Sequence, residues 1–383
     1  MKNPFVTNGY VSPEYFCDRE KETEQLTTLL TNGNNVALIS PRRIGKTDLI
    51  QHCFNQEEIK NNYHTFLIDI YSTKNTKELV GLFGRAILDG LRPLGRKAWD
   101  EFLKILTSIR QQITFDAYGV PSWSIGLGEI QNPGITLDEI FRYLREAQQP
   151  CIVAIDEFQQ ITKYNDGENV EALLRTHIQR CTNASFIFSG SQRHMMGEMF
   201  TSPSRPFYQS VTLFNLHPIP LDKYAAFCQY HFEKAGKHIE AEAISDLYNM
   251  LCGTTSYMQK VMNLAFQATA TGATCTTSDI RRVINEILDL SSDTYENLMY
   301  QLPDKQGRVL KAIALEGEAH AINSSNFVKK WQLVSASSVA SAAKGLLDRD
   351  LITQEGATYK LADKFLELWI NRNHYGRTIV DDR

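Results

Sequence analysis

No stretch of this chain approaches the ~18 consecutive apolar residues that a membrane-spanning helix needs. The first residues carry no apolar export signal. The expectation is therefore a cytoplasmic protein with no membrane partner. Paired cysteines are missing as well. The seven cysteines stand apart at positions 17, 53, 151, 181, 228, 252 and 275. None has C-x-x-C spacing and most lie in apolar runs, which argues for core packing in a reducing compartment and against zinc. The nine histidines show no H-E-x-x-H spacing, so no histidine-bound metal is expected. Neither sign of charge is in excess: a net charge of −4 on 383 residues gives no overall pull toward nucleic acid or anionic lipid. Any such binding must come from a local patch.

What is present is ordinary for a globular protein, with 43% hydrophobic and 22% charged residues. The length exceeds what one core usually holds, so two or three domains are expected. Five short apolar runs read as buried strands: Val36–Ile39, Phe66–Ile70, Cys151–Ile155, Phe186–Phe188 and Val211–Phe214. Helical patterns separate most of them, which predicts an α/β fold with a parallel sheet covered on both faces. Ligands in such sheets bind at the carboxyl ends of the strands. Residues 112–127 interrupt the pattern with alternating apolar residues around Gly119-Val120-Pro121, and read as an inserted β-hairpin.

The first strand runs directly into SPRRIGKTD, from Ser40 through Pro41, Arg42, Arg43, Ile44, Gly45, Lys46 and Thr47 to Asp48. Strand, loop and helix in this order read as a phosphate cradle of the form G-x-x-x-x-G-K-[ST], with Ser40 in place of the first glycine. Backbone N–H groups of such a loop and of the helix N-terminus point at phosphate. Lys46 would place a point charge on the β- and γ-phosphates, and Thr47 would offer a hydroxyl to Mg²⁺. Arg42 and Arg43 add charge beside the polyphosphate or face solvent or a partner domain.

The third strand, CIVAIDEF, ends in two adjacent carboxylates. Like charges repel at a strand tip unless something binds there. Asp156 would hold Mg²⁺ together with Thr47, and Glu157 would orient and deprotonate an attacking water. The fourth strand ends in SGSQR, where Ser191, or alternatively Ser189, fits a sensor of the γ-phosphate. Arg193 and Arg205 beyond it are candidates for a guanidinium delivered to a neighbouring subunit's site, or for plain ion pairs with acids such as Glu198. Upstream, Asp18 reads as the N-cap of a helix. Phe16 and the backbone around Asp18 and Arg19 form a candidate adenine slot, or simply the start of a surface helix.

From about 219 to 302 the pattern is helical throughout, with Thr277 or Ser278 expected to cap a long helix toward Tyr300. Beyond Pro303 come three helical segments and then two short strands around Glu355-Gly356, which reads as a winged helix-turn-helix. The domains are thus read as 1–218, a nucleotide-binding core; 219–302, a helical lid; 303–372, a winged helix; and 373–383, a tail.

Together these residues resemble the archaeal-type P-loop ATPases of the AAA+/STAND group. The resemblance rests on FCDREKE, LISPRRIGKTDL, VAIDEFQ, FSGSQR, CGTTSYMQ and SSVASAAKGLLDRDLI…YKLADKFLELWI, and covers nearly the whole chain. It implies an AAA+-like core, a small lid and a winged helix, with ATP and Mg²⁺ as cofactors. It also implies that Lys46 and Thr47 contact phosphate and Mg²⁺, that Asp156 and Glu157 form the acidic pair, and that Gly253 opens a lid motif facing the nucleotide. Thr255-Ser256 departs from the Gly-x-Pro-Tyr pattern usual there. The function expected is a Mg²⁺-dependent ATP-binding and ATP-hydrolysing molecular switch, with ATP and ADP as its nucleotides, that signals through its winged helix to a protein or DNA partner. A DNA-acting ATPase of the initiator or transposition-helper kind is the first rival, and an assembly scaffold with little turnover the second. An arginine acting in trans would make the protein a homo-oligomer. The segment from Pro303 to Arg383 holds twelve basic against ten acidic residues, which predicts weak, sequence-tolerant binding of double-stranded DNA at most.

Overall fold

The computed structural model describes residues 2–109, 113–123 and 130–375. The chain divides into two compact units. One covers Asn8–Pro218; the other joins the residues up to Thr7 to those from Ile219 onward.

The first unit contains α1 (Glu20–Thr31), β1 (Val36–Ile39), α2 (Lys46–Phe54), β2 (His64–Asp69), β3 (Ile113–Phe115), β4 (Pro121–Trp123), β5 (Cys151–Asp156), β6 (Ala184–Gly190) and β7 (Thr212–Asn215). Five strands make one parallel sheet in the order β2-β5-β6-β1-β7. Successive residues of a strand face opposite sides. Accordingly Val36 and Leu38 pack with Leu26, Leu30 and Leu49 on one face, while Ala37 and Ile39 pack with Phe66, Phe83 and Phe188 on the other. A strand buried on both faces needs an unbroken apolar run, which is why β1 and β5 read clearly in the sequence. Strand limits differ from expectation by one or two residues: β2 starts at His64 and ends at Asp69, β6 spans seven residues, and β7 is shifted to Thr212–Asn215. β3 and β4 pair antiparallel, Ile113 opposite Trp123. Gln112 and the expected outer residues Ile125 and Leu127 lie outside the described residues.

The start of α1 corrects the capping expectation. Its N-cap is Arg19, with φ 79°, and no side chain caps it. Asp18 also has a positive φ of 56°. Arg19 is drawn inward, where its guanidinium donates to Glu22 Oε1 at 2.7 Å and to the carbonyl of His217 at 2.6 Å.

The residues up to Thr7 belong to the second unit, whereas the 1–218 boundary assigns them to the core. Phe5 is fully buried against Phe227, Phe232 and Phe266, and Asn3 and Asn263 each donate to the other segment's backbone. Helices Leu221–Lys234, Ala241–Met250 and Thr255–Ala268 follow, with a short parallel pair of β8 (His238–Ile239) and β9 (Thr274–Cys275). The next helix is capped by Thr276, which forms a reciprocal capping box with Asp279, and it ends at Leu290. A separate helix, Ser292–Gln301, replaces the single long one expected. Ser291 Oγ donates to the Ile287 carbonyl at 2.8 Å, a side-chain-to-backbone bond of the kind that competes with helix continuation.

Helices Asp304–Glu316, Ser325–Lys330 and Ala336–Asp348 then precede β11 (Ile352–Glu355) and β12 (Thr358–Leu361), which pair with β10 (Ala319–His320) in the order β10-β12-β11. β10 is too short to register as a pattern in the sequence. A last helix, Lys364–Tyr375, ties this segment to the preceding helices. Trp369 donates its indole N–H to Ser292 Oγ at 3.0 Å, Arg372 pairs with Asp289 at 2.8 Å, and Tyr257 meets Phe365 edge-on. Among the described residues no helix is long and apolar enough to cross a membrane.

Candidate nucleotide site

The carboxyl ends of β1, β5 and β6 are neighbours in the sheet, so the three polar segments that follow them converge. The loop after β1 turns at Arg43, φ 66°, and at Gly45, φ 94°, which caps α2. A side chain at position 45 would be strained at that φ, so glycine is required there. Ser40, in the place of the first glycine, is fully buried. Its N–H donates to the Gly190 carbonyl at 3.4 Å and its hydroxyl to the Pro41 carbonyl at 2.9 Å. The serine thus stitches the loop to β6 and to itself. Ile44 turns into the apolar core beside Leu49.

Lys46 opens α2 and is 6% exposed. Among the described residues its ammonium has one long contact, the Pro41 carbonyl at 3.5 Å. Burial pushes its pKa down, while Glu157 and Asp156 push it up and Arg42 pushes it down. A buried cation with three donors and so little to bond is suited to an anion. Asp48, in the same first turn, has its pKa raised by burial.

Thr47 Oγ1 donates to Asp156 Oδ2 at 2.6 Å. The other carboxylate oxygen, Oδ1, accepts from Ser189 Oγ and from the backbone N–H of Glu157, the latter at 3.0 Å. Thr47 and Asp156 therefore offer hydroxyl and carboxylate oxygens side by side. Hard oxygen donors of this kind suit Mg²⁺, which takes one or two protein ligands and completes its shell with water and phosphate. Among the described residues no group of three or more His, Cys, Asp or Glu is placed to hold a metal alone, so an ion here would need phosphate oxygens as well.

Glu157 follows at the strand tip in a left-handed conformation, φ 55° and ψ 42°. Its Oε2 accepts from Ser191 Oγ at 2.8 Å and from Gln159 Nε2. Arg42 Nε in turn donates to Ser191 Oγ at 3.3 Å. The two serines considered as sensors thus divide the carboxylates: Ser189 serves Asp156, and Ser191 serves Glu157 while touching the phosphate loop. Arg193 opens the helix Arg193–Thr201 directly behind.

Arg205 goes elsewhere. Its Nη2 lies 2.7 Å from Glu171 Oε2, whose side chain is 1% exposed. Burial pushes the Glu171 carboxyl up to about 7 in spite of the neighbouring guanidinium, with Glu168 and Glu198 adding to the rise. Within the chain, Arg205 is thus the ion-pair partner of Glu171, on the helix Gly167–Gln179.

Phe16 stacks on His52 of α2 with centroids 4.3 Å apart, and Tyr10 meets both rings edge-on while its hydroxyl lies 3.0 Å from His52 Nδ1. The side chain of Arg19 is committed to Glu22 and His217 as described, so only its backbone is left for a ligand. Sequence reasoning missed Asp69, Gln159, His52 and Tyr10. Asp69 stands opposite Asp156 in the β2–β5 register. Burial raises its pKa, the Tyr71 N–H lowers it, and Asp156 and Glu157 raise it further. A carboxylate inside the apolar run Phe66–Ile70, one residue before its end, is the signal the sequence offers. Gln159 had none beyond its place two residues after Glu157.

This fold and this loop define a P-loop nucleotide-binding ATPase with a C-terminal winged helix. The chain belongs to the family described as an ATPase domain predominantly from Archaea, whose model matches residues 16–261. Residues 293–372 match a probable winged helix domain. No functionally curated protein matches significantly. Among solved structures, the chain is similar to a Walker-type ATPase of Pyrococcus abyssi, with TM-score 0.67 and 19% identity over 96% of this chain and 99% of that one. It is also similar to the Aeropyrum pernix ORC2 protein solved in ADPNP–ADP complexes (TM-score 0.59, 16% identity, 97% of each chain). A third is the Aeropyrum pernix ORC1 protein in complex with DNA (TM-score 0.52, 11% identity, 95% and 94%). At these identities the likeness is one of fold.

Proposed function

We propose that the chain is a Mg²⁺-dependent ATP-hydrolysing switch that signals through its winged helix to a protein partner. The observation that carries this reading is the joined network at the strand tips: Thr47 to Asp156 on one side, Arg42 to Ser191 to Glu157 on the other. Bound Mg·ATP would supply the reactive β–γ phosphoanhydride. Lys46 and the loop N–H groups would bind its charge, and Thr47 and Asp156 would hold the ion. Glu157 would take the proton from the attacking water, and Ser191 would report the γ-phosphate to Glu157. Phe16, with His52 beside it, is assigned to the base. Arg193 is the arginine assigned to a neighbouring copy.

The contacts of the helix Lys364–Tyr375 with Ser292, Asp289 and Tyr257 support a route from the helices after Ile219 to the winged helix. A DNA-acting ATPase is the second reading, favoured by the likeness to an ORC1 protein solved in complex with DNA. Against it, the third helix of the winged segment exposes Ala336, Ser337, Ala340, Ser341 and Lys344, a small and nearly neutral surface. In the test, Mg·ATP should raise the melting temperature of the native chain by ligand linkage, and Lys46→Ala should abolish the rise. An equal rise in Lys46→Ala would remove the loop from the account.

A further inference from the structure

We propose that Gln159 is a positioning residue for Glu157: it clamps one carboxylate oxygen so that the other is presented to water. This deepens the hydrolytic reading of the site and rests on it.

Both donors to Glu157 converge on the same atom. Gln159 Nε2 and Ser191 Oγ donate to Oε2, and among the described residues Oε1 has no hydrogen-bond partner. Two bonds on one oxygen fix the plane of the carboxylate and leave the lone pairs of the other for a proton. Only one orientation of the Gln159 amide allows this. Turned over, its carbonyl oxygen would face a carboxylate oxygen, acceptor against acceptor.

The backbone places the amide. Glu157 adopts a left-handed conformation rare for a non-glycine residue, and the chain then enters the short helical turn Phe158–Lys163. That reversal brings the side chain two residues on back toward Glu157. Gln159 is itself 3% exposed, and its Oε1 is buried without a partner among the described residues. An amide kept in the interior with half of its polar capacity unused is costly for a merely structural role, since an apolar side chain of that size would carry no such penalty.

The room for it is made by Gly190. A Cβ there would lie 2.4 Å from Gln159 Oε1 and 2.4 Å from Met196 Sδ. Glycine at the end of β6, between Ser189 and Ser191, is thus what lets the amide lie across the strand tip.

The test uses the full chain with Mg·ATP and reads kcat, KM and the ATP-induced melting shift. Gln159→Met keeps the length and removes the donor. It should lower kcat about 10- to 100-fold, the scale of a misplaced reacting group, while KM and the melting shift stay unchanged. In a Glu157→Gln background it should cost nothing further, because Gln159 acts only through that carboxylate. Gly190→Ala should reproduce the kcat loss by displacing the amide; if that variant fails to fold, Gln159→Leu serves as the second variant. Unchanged kcat in Gln159→Met, or an equal extra loss on top of Glu157→Gln, overturns the inference. If native hydrolysis is abolished by Lys46→Ala but kept in Gln159→Met, the ATPase reading stands and only this inference falls. If the native chain shows no Lys46-dependent hydrolysis, both fall.

Discussion

Thr47 and Asp156 are joined by a hydrogen bond of 2.6 Å between Oγ1 and Oδ2, so the first turn of α2 is locked to the tip of β5. The two residues are far apart in sequence, and the sheet order brings them together by placing β1 and β5 on either side of β6. The bond holds two hard oxygen donors in place, and it ties the phosphate loop to the acidic pair.

Asp156→Asn therefore has a specific expected outcome. The side chain keeps its size and its bond to Thr47 is retained in modified form, but its charge is gone. ATP should still bind through Lys46, and the Mg²⁺ concentration giving half-maximal hydrolysis should rise by about tenfold or more. A titration of Mg²⁺ at saturating ATP measures it. An unchanged Mg²⁺ dependence would show that Asp156 does not hold the ion.

Glu171 sets a pH dependence of stability. Its carboxyl sits at about 7 in the folded chain against an ordinary value of 4.5. Between those values the folded state keeps a proton that the unfolded chain releases, so this contribution is present below 4.5 and is lost as pH rises through 7. The native melting temperature should fall from pH 5.5 to pH 8 relative to that of Glu171→Gln, which lacks the titration. Arg205→Ala should cost about 3 kcal/mol at pH 8, where it strands a buried charge, and less at pH 6, where Glu171 takes up a proton. If Arg205→Ala is instead fully stable but inactive, and mixing it with Glu157→Gln restores turnover, Arg205 serves a neighbouring copy.

Much of this was legible in the sequence. The fully buried strands announce themselves because both faces need apolar residues, and the phosphate loop because its chemistry dictates glycine and lysine at fixed spacing. The α1 cap at Arg19, the break at Ser291 and the pairing of Arg205 with Glu171 were not legible. Each depends on a partner distant in the chain or on a competition between local hydrogen bonds. Gln159 belongs to the same class: its meaning comes from the left-handed turn at Glu157 and the space left by Gly190, and neither has a periodic signature.

The winged helix should bind duplex DNA feebly. Affinity falls with salt by about 0.9 log units per log unit for each neutralised phosphate, and the exposed face of the helix Ala336–Asp348 offers Lys344 as its basic residue. Fluorescence anisotropy over a salt series, with and without ATP, should give weak binding and a shallow slope. Tight binding with a steep slope would favour the DNA-acting reading over a protein partner.

The most direct test of the central claim is the rate of phosphate release from Mg·ATP by Glu157→Gln beside its ATP-induced melting shift. The substitution keeps the shape of the site and removes the base. The account predicts a melting shift equal to that of the native chain and a turnover at least about 100-fold lower, the scale of general base catalysis. Native turnover in Glu157→Gln would contradict it.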